Sequence, residues 1–144
     1  MEKQCPICGR PARNNVATYC EYGCAKLSAR ARMVDNHEER EQRVQAIKAA
    51  WQNGAFRCHY TGVELNIQDS SSPFYLTFDH VVPRSPSEIV VCAAAINDVK
   101  SDCTEEEFKY NTAALFEHFK DGRPLCQSDF RFSHYKRHRQ SLRE

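Results

Sequence analysis

Phe78-Asp79-His80-Val81-Val82-Pro83-Arg84-Ser85, with Asn97-Asp98-Val99-Lys100-Ser101-Asp102 downstream, is the stretch on which the fold of this chain turns. The segment from Phe74 to Asp79 is rich in aromatic and β-branched residues and predicts a strand that ends before the Pro83-Arg84-Ser85-Pro86 turn. Ile89-Val90-Val91-Cys92 predicts a second short strand, and Ala93-Ala94-Ala95 opens a helical stretch that carries Asn97 and Lys100. Thr104-x-x-Glu107 is a capping box, and Phe108, Leu115 and Phe119 recur at helical intervals until Gly122. The expected unit is strand, turn, strand, helix and a further helix. Asp79 and His80 stand at the end of an apolar strand, directly before a turn, where the alternation of side chains is expected to break down. Both groups are then expected to face one site.

The residue types at that site suit metal-assisted hydrolysis. An Asp carboxylate and an Asn carbonyl are hard oxygen ligands fitted to Mg²⁺ or Mn²⁺, and two protein ligands leave positions for water and a phosphate oxygen. An imidazole, with an ordinary pKa of about 6.5, can take a proton from an attacking water near neutral pH.

Upstream, Cys5-Pro6-Ile7-Cys8-Gly9 reads as a zinc knuckle, and Cys20-x-x-x-Cys24 supplies a second thiol pair. Four thiolates close a tetrahedral shell without water, so the expected zinc is structural. The other four cysteines, Cys58, Cys92, Cys103 and Cys126, are scattered singly and read as buried thiols. A second zinc built from Cys58, His59 and Cys92 is the alternative. From Cys24 the chain reads helical to about Val34, and Asp35-x-x-Glu38 opens a second helix that ends at Asn53-Gly54. Val44, Ile47 and Trp51 form its apolar stripe. Arg40, Arg43 and Lys48, interleaved with Glu38, Glu39 and Glu41, read equally as phosphate contacts or as solvated charges.

Composition bounds the rest. A chain of 144 residues with net charge +1 fits one compact domain with a small appended module, which excludes a large multidomain enzyme. No run approaches the roughly 18 consecutive apolar residues of a membrane span, so a soluble, cytoplasmic protein is expected. The charge is divided: residues 1–57 carry 10 basic and 6 acidic groups, 58–122 carry 4 and 11, and 123–144 carry 6 and 2. Basic ends about an acidic centre suit a polyanion gripped at the periphery while the centre holds a cation, though solvated helix faces give the same pattern. The tail Arg131-Phe132-Ser133-His134-Tyr135-Lys136-Arg137-His138-Arg139 interleaves cations with rings, a composition shared by nucleic-acid contacts and frayed termini.

From about Arg57 to Phe119 the chain resembles the HNH nucleases, the ββα-metal or His-Me finger family. The residues that carry the resemblance are Cys58-His59-Tyr60-Thr61-Gly62, Asp79-His80-Val81-Val82-Pro83, Asn97-x-x-Lys100 and Thr104-Glu105-Glu106-Glu107-Phe108. The resemblance implies an α+β fold, a ββα-metal core with flanking helices and the small N-terminal zinc module. It implies that Asp79 and Asn97 bind one divalent Mg²⁺ or Mn²⁺, that His80 is the general base, and that Lys100 and Arg84 meet the substrate phosphate. Two positions depart from the family pattern. The middle Asn falls near Glu88, nine residues before Asn97, and the core zinc of many relatives is broken by Thr61 and by the lone Cys92.

The expected organisation is therefore a four-cysteine module over 1–34, a connecting helix over 35–54, a nuclease core over 55–122 and a basic tail over 123–144. The expected activity is DNA phosphodiester hydrolysis. The expected state is a monomer or weak homodimer; one such site cuts one strand, so a monomer is expected to nick, and a double-strand break needs a symmetric dimer or a second encounter. The alternative is a zinc-containing nucleic-acid-binding module with a weak or inactive site. A purely structural zinc adaptor would leave Asp79, His80, Asn97 and Lys100 unexplained.

Overall fold

In the computed structural model, which describes residues 3–136, contacts group the chain into two compact units. The first runs to His80 and takes in Ser85–Val99, while the second holds Val81–Arg84 and the chain from Lys100 onward. The first unit has one apolar core, which joins Cys5, Ile7, Cys8, Cys20, Cys24 and Leu27 to Val44, Ile47, Phe56, Leu76 and Val91. The thiol cluster is thus part of the wall of one core.

Helix α1 (Cys24–Ala31) begins at Gly23, whose φ of 114° is left-handed, and a Cβ there would stand 3.2 Å from Ile67 Cδ1. Helix α2 (His37–Ala50) is capped one residue later than expected. Asn36, rather than Asp35, turns its Oδ1 to the Glu39 N–H at 2.9 Å, and Glu38 and Glu39 sit on the positive end of the dipole. Val44 and Ile47 are buried as the apolar stripe requires, with α2 packed on β4.

The expected helical end at Asn53-Gly54 is corrected: α2 stops at Ala50, and Trp51–Gln52 (β1) pairs antiparallel with Ala55–Phe56 (β2). The two residues between them have φ of 53° (Asn53) and 78° (Gly54), the positive pair that a two-residue hairpin turn demands. Trp51 leaves the helix stripe to meet Phe56 edge-on, with ring centroids 4.9 Å apart.

Strands β3 (Leu76–His80) and β4 (Ile89–Ala93) form an antiparallel pair registered from Leu76 opposite Ala93 to His80 opposite Ile89. Helix α3 (Ala94–Lys100) follows β4 directly. The described residues are therefore mixed α and β, with two small two-stranded sheets among them.

In the second unit, α4 (Glu105–Asp121) carries the expected capping box: Thr104 Oγ1 accepts from Glu107 N and Glu107 Oε1 accepts from Thr104 N, both at 3.1 Å. Gly122, left-handed at φ 70°, ends it. Its buried residues are Glu107, Asn111 and Ala114, whereas Leu115, Phe116 and Phe119 are exposed. The reason is polar docking. Asn111 pairs its carboxamide with both backbone groups of Arg131 (Oδ1 from N at 2.8 Å, Nδ2 to O at 2.9 Å), and Glu107 Oε2 accepts from Ser133 N and Oγ at 2.8 and 2.7 Å. The start of the basic tail is thereby tied to α4, with the Arg131 guanidinium 4.0 Å from the Tyr110 ring centre. Arg137, His138 and Arg139 lie outside the described residues.

Burial pushes the Glu107 carboxyl up, but the bonds from Ser133 and Thr104 outweigh it and hold the group below its usual range. A carboxyl depressed on folding contributes stability above its unfolded pKa of about 4.3, and that stability is lost as pH falls through the folded value. Thermal melts of the full chain should therefore lose stability below about pH 4. Glu107→Gln should be less stable at pH 7 and should flatten that acid limb; parallel limbs in the two proteins would refute the assignment.

Candidate metal centre and hairpin site

Among the described residues, Cys5, Cys8, Cys20 and Cys24 form the sole group of three or more potential metal-ligating side chains. All four are buried, and their ligand atoms lie within 4.8 Å of one another. The knuckle is closed by Gly9 N–H donating to Cys5 O at 2.9 Å and Cys5 N–H to Arg10 O at 2.8 Å, with Gly9 at φ 76°. Cys24 is brought in as the first residue of α1. Tetrahedral zinc with Zn–S bonds of about 2.3 Å requires sulfurs about 3.8 Å apart. The Cys8 and Cys20 Sγ atoms are 3.8 Å apart.

Four thiols this close resist joint ionisation. Burial and the neighbouring sulfurs push the Cys24 thiol well above its ordinary value; burial also raises Cys5, but backbone hydrogen bonds at Cys8, Cys20 and Ile7 overcome it and hold Cys5 at about 7. A divalent cation resolves that conflict, so the cluster is compatible with a zinc site. Arg10 adds a further cation: its Nε donates to Cys8 Sγ at 3.2 Å, and its guanidinium lies 4.1 and 4.5 Å from the ring centres of Tyr22 and Trp51.

Cys58, His59 and Cys92, the residues of the alternative second zinc, make up no such group among the described residues. Cys92 Sγ instead lies 3.7 Å from Thr77 Oγ1. Cys58 and Cys103 are buried thiols as expected, but Cys126 is exposed, because it caps the 3-10 turn Gln127–Asp129 with its Sγ 3.0 Å from Ser128 Oγ.

The hairpin site is assembled by β3 and its neighbours. The Cys58–Gly62 turn, closed by Gly62 N–H to Cys58 O at 2.8 Å, hangs on the edge of β4 through His59 N–H to Val91 O at 2.9 Å. From it the Tyr60 hydroxyl donates to Asp79 Oδ2, and Asp79 is 6% exposed. Asn97 on α3 donates its Nδ2 to Thr77 Oγ1 at 3.3 Å and to Phe78 O at 3.5 Å. A carbonyl only accepts, which fixes the amide orientation and turns Oδ1 away from Phe78 O.

His80 faces another partner. Its Nε2 is 3.0 Å from Glu39 Oε1 on α2, and Arg43 holds Glu39 Oε2 at 2.9 Å. The His80 bond is the chief cause that holds the Glu39 carboxyl below its usual range; burial opposes it and the Arg43 charge adds to it. The expected break in alternation before the turn is therefore corrected. Register is kept through His80, so Thr77 and Asp79 point to one face of the hairpin and Phe78 and His80 to the other, with Arg43 over the Phe78 ring at 4.6 Å. The two faces meet only at the end of β3.

The two expected phosphate contacts belong to the second unit. Lys100 is fully buried, and its Nζ donates to Cys103 O at 2.6 Å, a position unlike the solvent-facing one that a phosphate contact needs. Arg84 is 55% exposed at its side chain, pairs with Asp102 at 3.5 Å, and has a left-handed φ of 64°. Glu39 was not singled out from the sequence, because its partner lies 41 positions away and no local spacing announces such a pair.

No family model, curated protein or solved structure matches the chain. Among the described residues no helix is long and apolar enough to cross a membrane.

Proposed function

We propose that the chain is a metal-dependent endonuclease of the HNH type that hydrolyses DNA phosphodiester bonds, nicking one strand per site. The observation that carries the reading is the anchoring of Asn97 on β3, with its Oδ1 turned away from Phe78 O, by the helix that follows the Asp79-His80 hairpin. The Asp79 carboxylate and the Asn97 carboxamide oxygen are hard donors that would hold one Mg²⁺ or Mn²⁺, which supplies stabilisation of charge on the phosphate and the departing oxygen. Tyr60 fixes one carboxylate oxygen of Asp79.

The chain's own base is His80. Its imidazole takes a proton from water as the water oxygen bonds to phosphorus, and the phosphorus–oxygen bond to the departing strand end breaks, that oxygen being protonated by solvent. Because Asp79 and His80 point to opposite faces of β3, the scissile group must lie across the end of that strand. The four N-terminal thiolates are proposed to hold one structural zinc, and Arg84 to meet the DNA backbone. The absence of a solvent-facing Lys100, together with Glu88 in the middle-Asn position, favours the second reading, a zinc-containing nucleic-acid-binding module with little or no catalysis.

A DNA duplex labelled on each strand in turn tests the two readings. Shortened strands that need Mg²⁺ or Mn²⁺ and vanish in EDTA support the nuclease. Intact strands with a salt-sensitive gel shift support the binding module.

A further inference from the structure

We infer that Glu39, on the helix that precedes the hairpin, is the positioning residue for His80. The inference rests on the nuclease reading and adds to it a residue outside the stretch that carries the HNH resemblance. Each carboxylate oxygen has its own partner: Oε1 lies 3.0 Å from His80 Nε2, and Oε2 accepts from Arg43 Nε and NH2 at 3.1 and 2.9 Å. The three side chains are 15% (Glu39), 19% (Arg43) and 28% (His80) exposed, so solvent competes only partly for these bonds.

The consequence is chemical. A carboxylate has no proton to give at neutral pH, so it accepts from Nε2–H, which places the imidazole lone pair on Nδ1 as the one atom able to take a proton from water. The ring is fixed in tautomer and in angle, and the positive charge it gains in the reaction is met by a carboxylate already in place. Arg43 keeps that carboxylate aimed through its two contacts to Oε2. Asp79 precedes His80 on the same strand with Tyr60 bound to it, and β4 sets Ile89 opposite His80 and Val91 opposite Phe78. The local sequence supports the geometry: the Asn36 cap and the first-turn position of Glu39 fix where the carboxylate begins its reach.

Two variants of the full chain test the inference. Glu39→Gln keeps an acceptor and loses the charge, and Glu39→Ala loses both. Steady-state nicking should show kcat lowered about 10-fold in the first and about 100-fold in the second, part of the 10²–10⁴ that a positioned base supplies, with KM within twofold. Proton NMR supplies a readout that needs no activity. A His80 ring N–H protected from exchange should be visible in the wild type, weakened in Glu39→Gln and absent in Glu39→Ala. An unprotected wild-type ring, or unchanged kcat in both variants, would overturn the inference. If the wild type cuts nothing, the nuclease reading fails and the catalytic role falls with it, while the ring proton still reports whether Glu39 holds His80.

Discussion

Cys24→Ser is expected to release zinc and to unfold the whole first unit, not a detachable N-terminal piece. Cys24 is fully buried, starts α1, and shares one core with Ile47, Leu76 and Val91. Structural zinc binding is worth about 10–16 kcal/mol in small zinc modules, as much as or more than the roughly 5–15 kcal/mol that holds a typical domain together. A hydroxyl in place of one thiolate therefore removes a contribution the core cannot replace, and the three remaining sulfurs keep crowding one another. The measurement pairs metal content after dialysis with circular dichroism. The expected outcome is about one zinc per wild-type chain, and loss of both zinc and cooperative melting in the variant. A variant that melts like the wild type and retains its zinc would contradict the four-thiolate shell. Arg10→Ala should act more mildly, since it removes a hydrogen bond to Cys8 and the stack on Tyr22 and Trp51 without removing a ligand.

His80→Ala is expected to lower strand scission by about 10²–10⁴-fold, the range a positioned general base contributes. The fold should survive. His80 is 28% exposed at its side chain and ends β3, and its loss leaves Glu39 paired with Arg43 rather than buried alone. The check is single-turnover cleavage alongside a thermal melt. Cleavage at the wild-type rate with an intact melt would remove His80 from the reaction, whereas slow cleavage with an intact melt is the predicted result.

Local signals were legible in the sequence and distant ones were not. The four thiols are spaced by a knuckle turn and a helix start, so their convergence depends on short-range geometry, and the spacing sufficed. The hairpin strands and the Thr104–Glu107 capping box likewise follow from residues within a few positions of one another. At the end of α2 two local signals competed. The apolar period from Val44 and Ile47 ran on to Trp51 and argued for more helix, while Asn53-Gly54 marked a two-residue hairpin, and the structure follows the latter. The cap moved from Asp35 to Asn36 because Asn36 Oδ1 can reach the free Glu39 N–H.

The candidate site shows the same limit. Asp79, His80 and Asn97 could be picked out by type and spacing, but Glu39 came from a helix whose charges looked solvated. Lys100 was expected at the phosphate from the family resemblance alone; in the structure its four-carbon stem is buried and its ammonium donates to Cys103 O. In α4 the apolar residues announced a buried stripe. The residues actually buried are Glu107, Asn111 and Ala114, because the two polar side chains satisfy backbone groups of Arg131 and Ser133 that no sequence period encodes.

Conversion of supercoiled plasmid by the purified full chain, in Mg²⁺ and in EDTA with His80→Ala in parallel, puts the central claim to its most direct test. Open circles should accumulate with the wild type in Mg²⁺, be absent in EDTA, and form at least about 100-fold more slowly with His80→Ala. Supercoiled DNA left intact by a folded, zinc-loaded wild type, or open circles formed equally by His80→Ala, would contradict it.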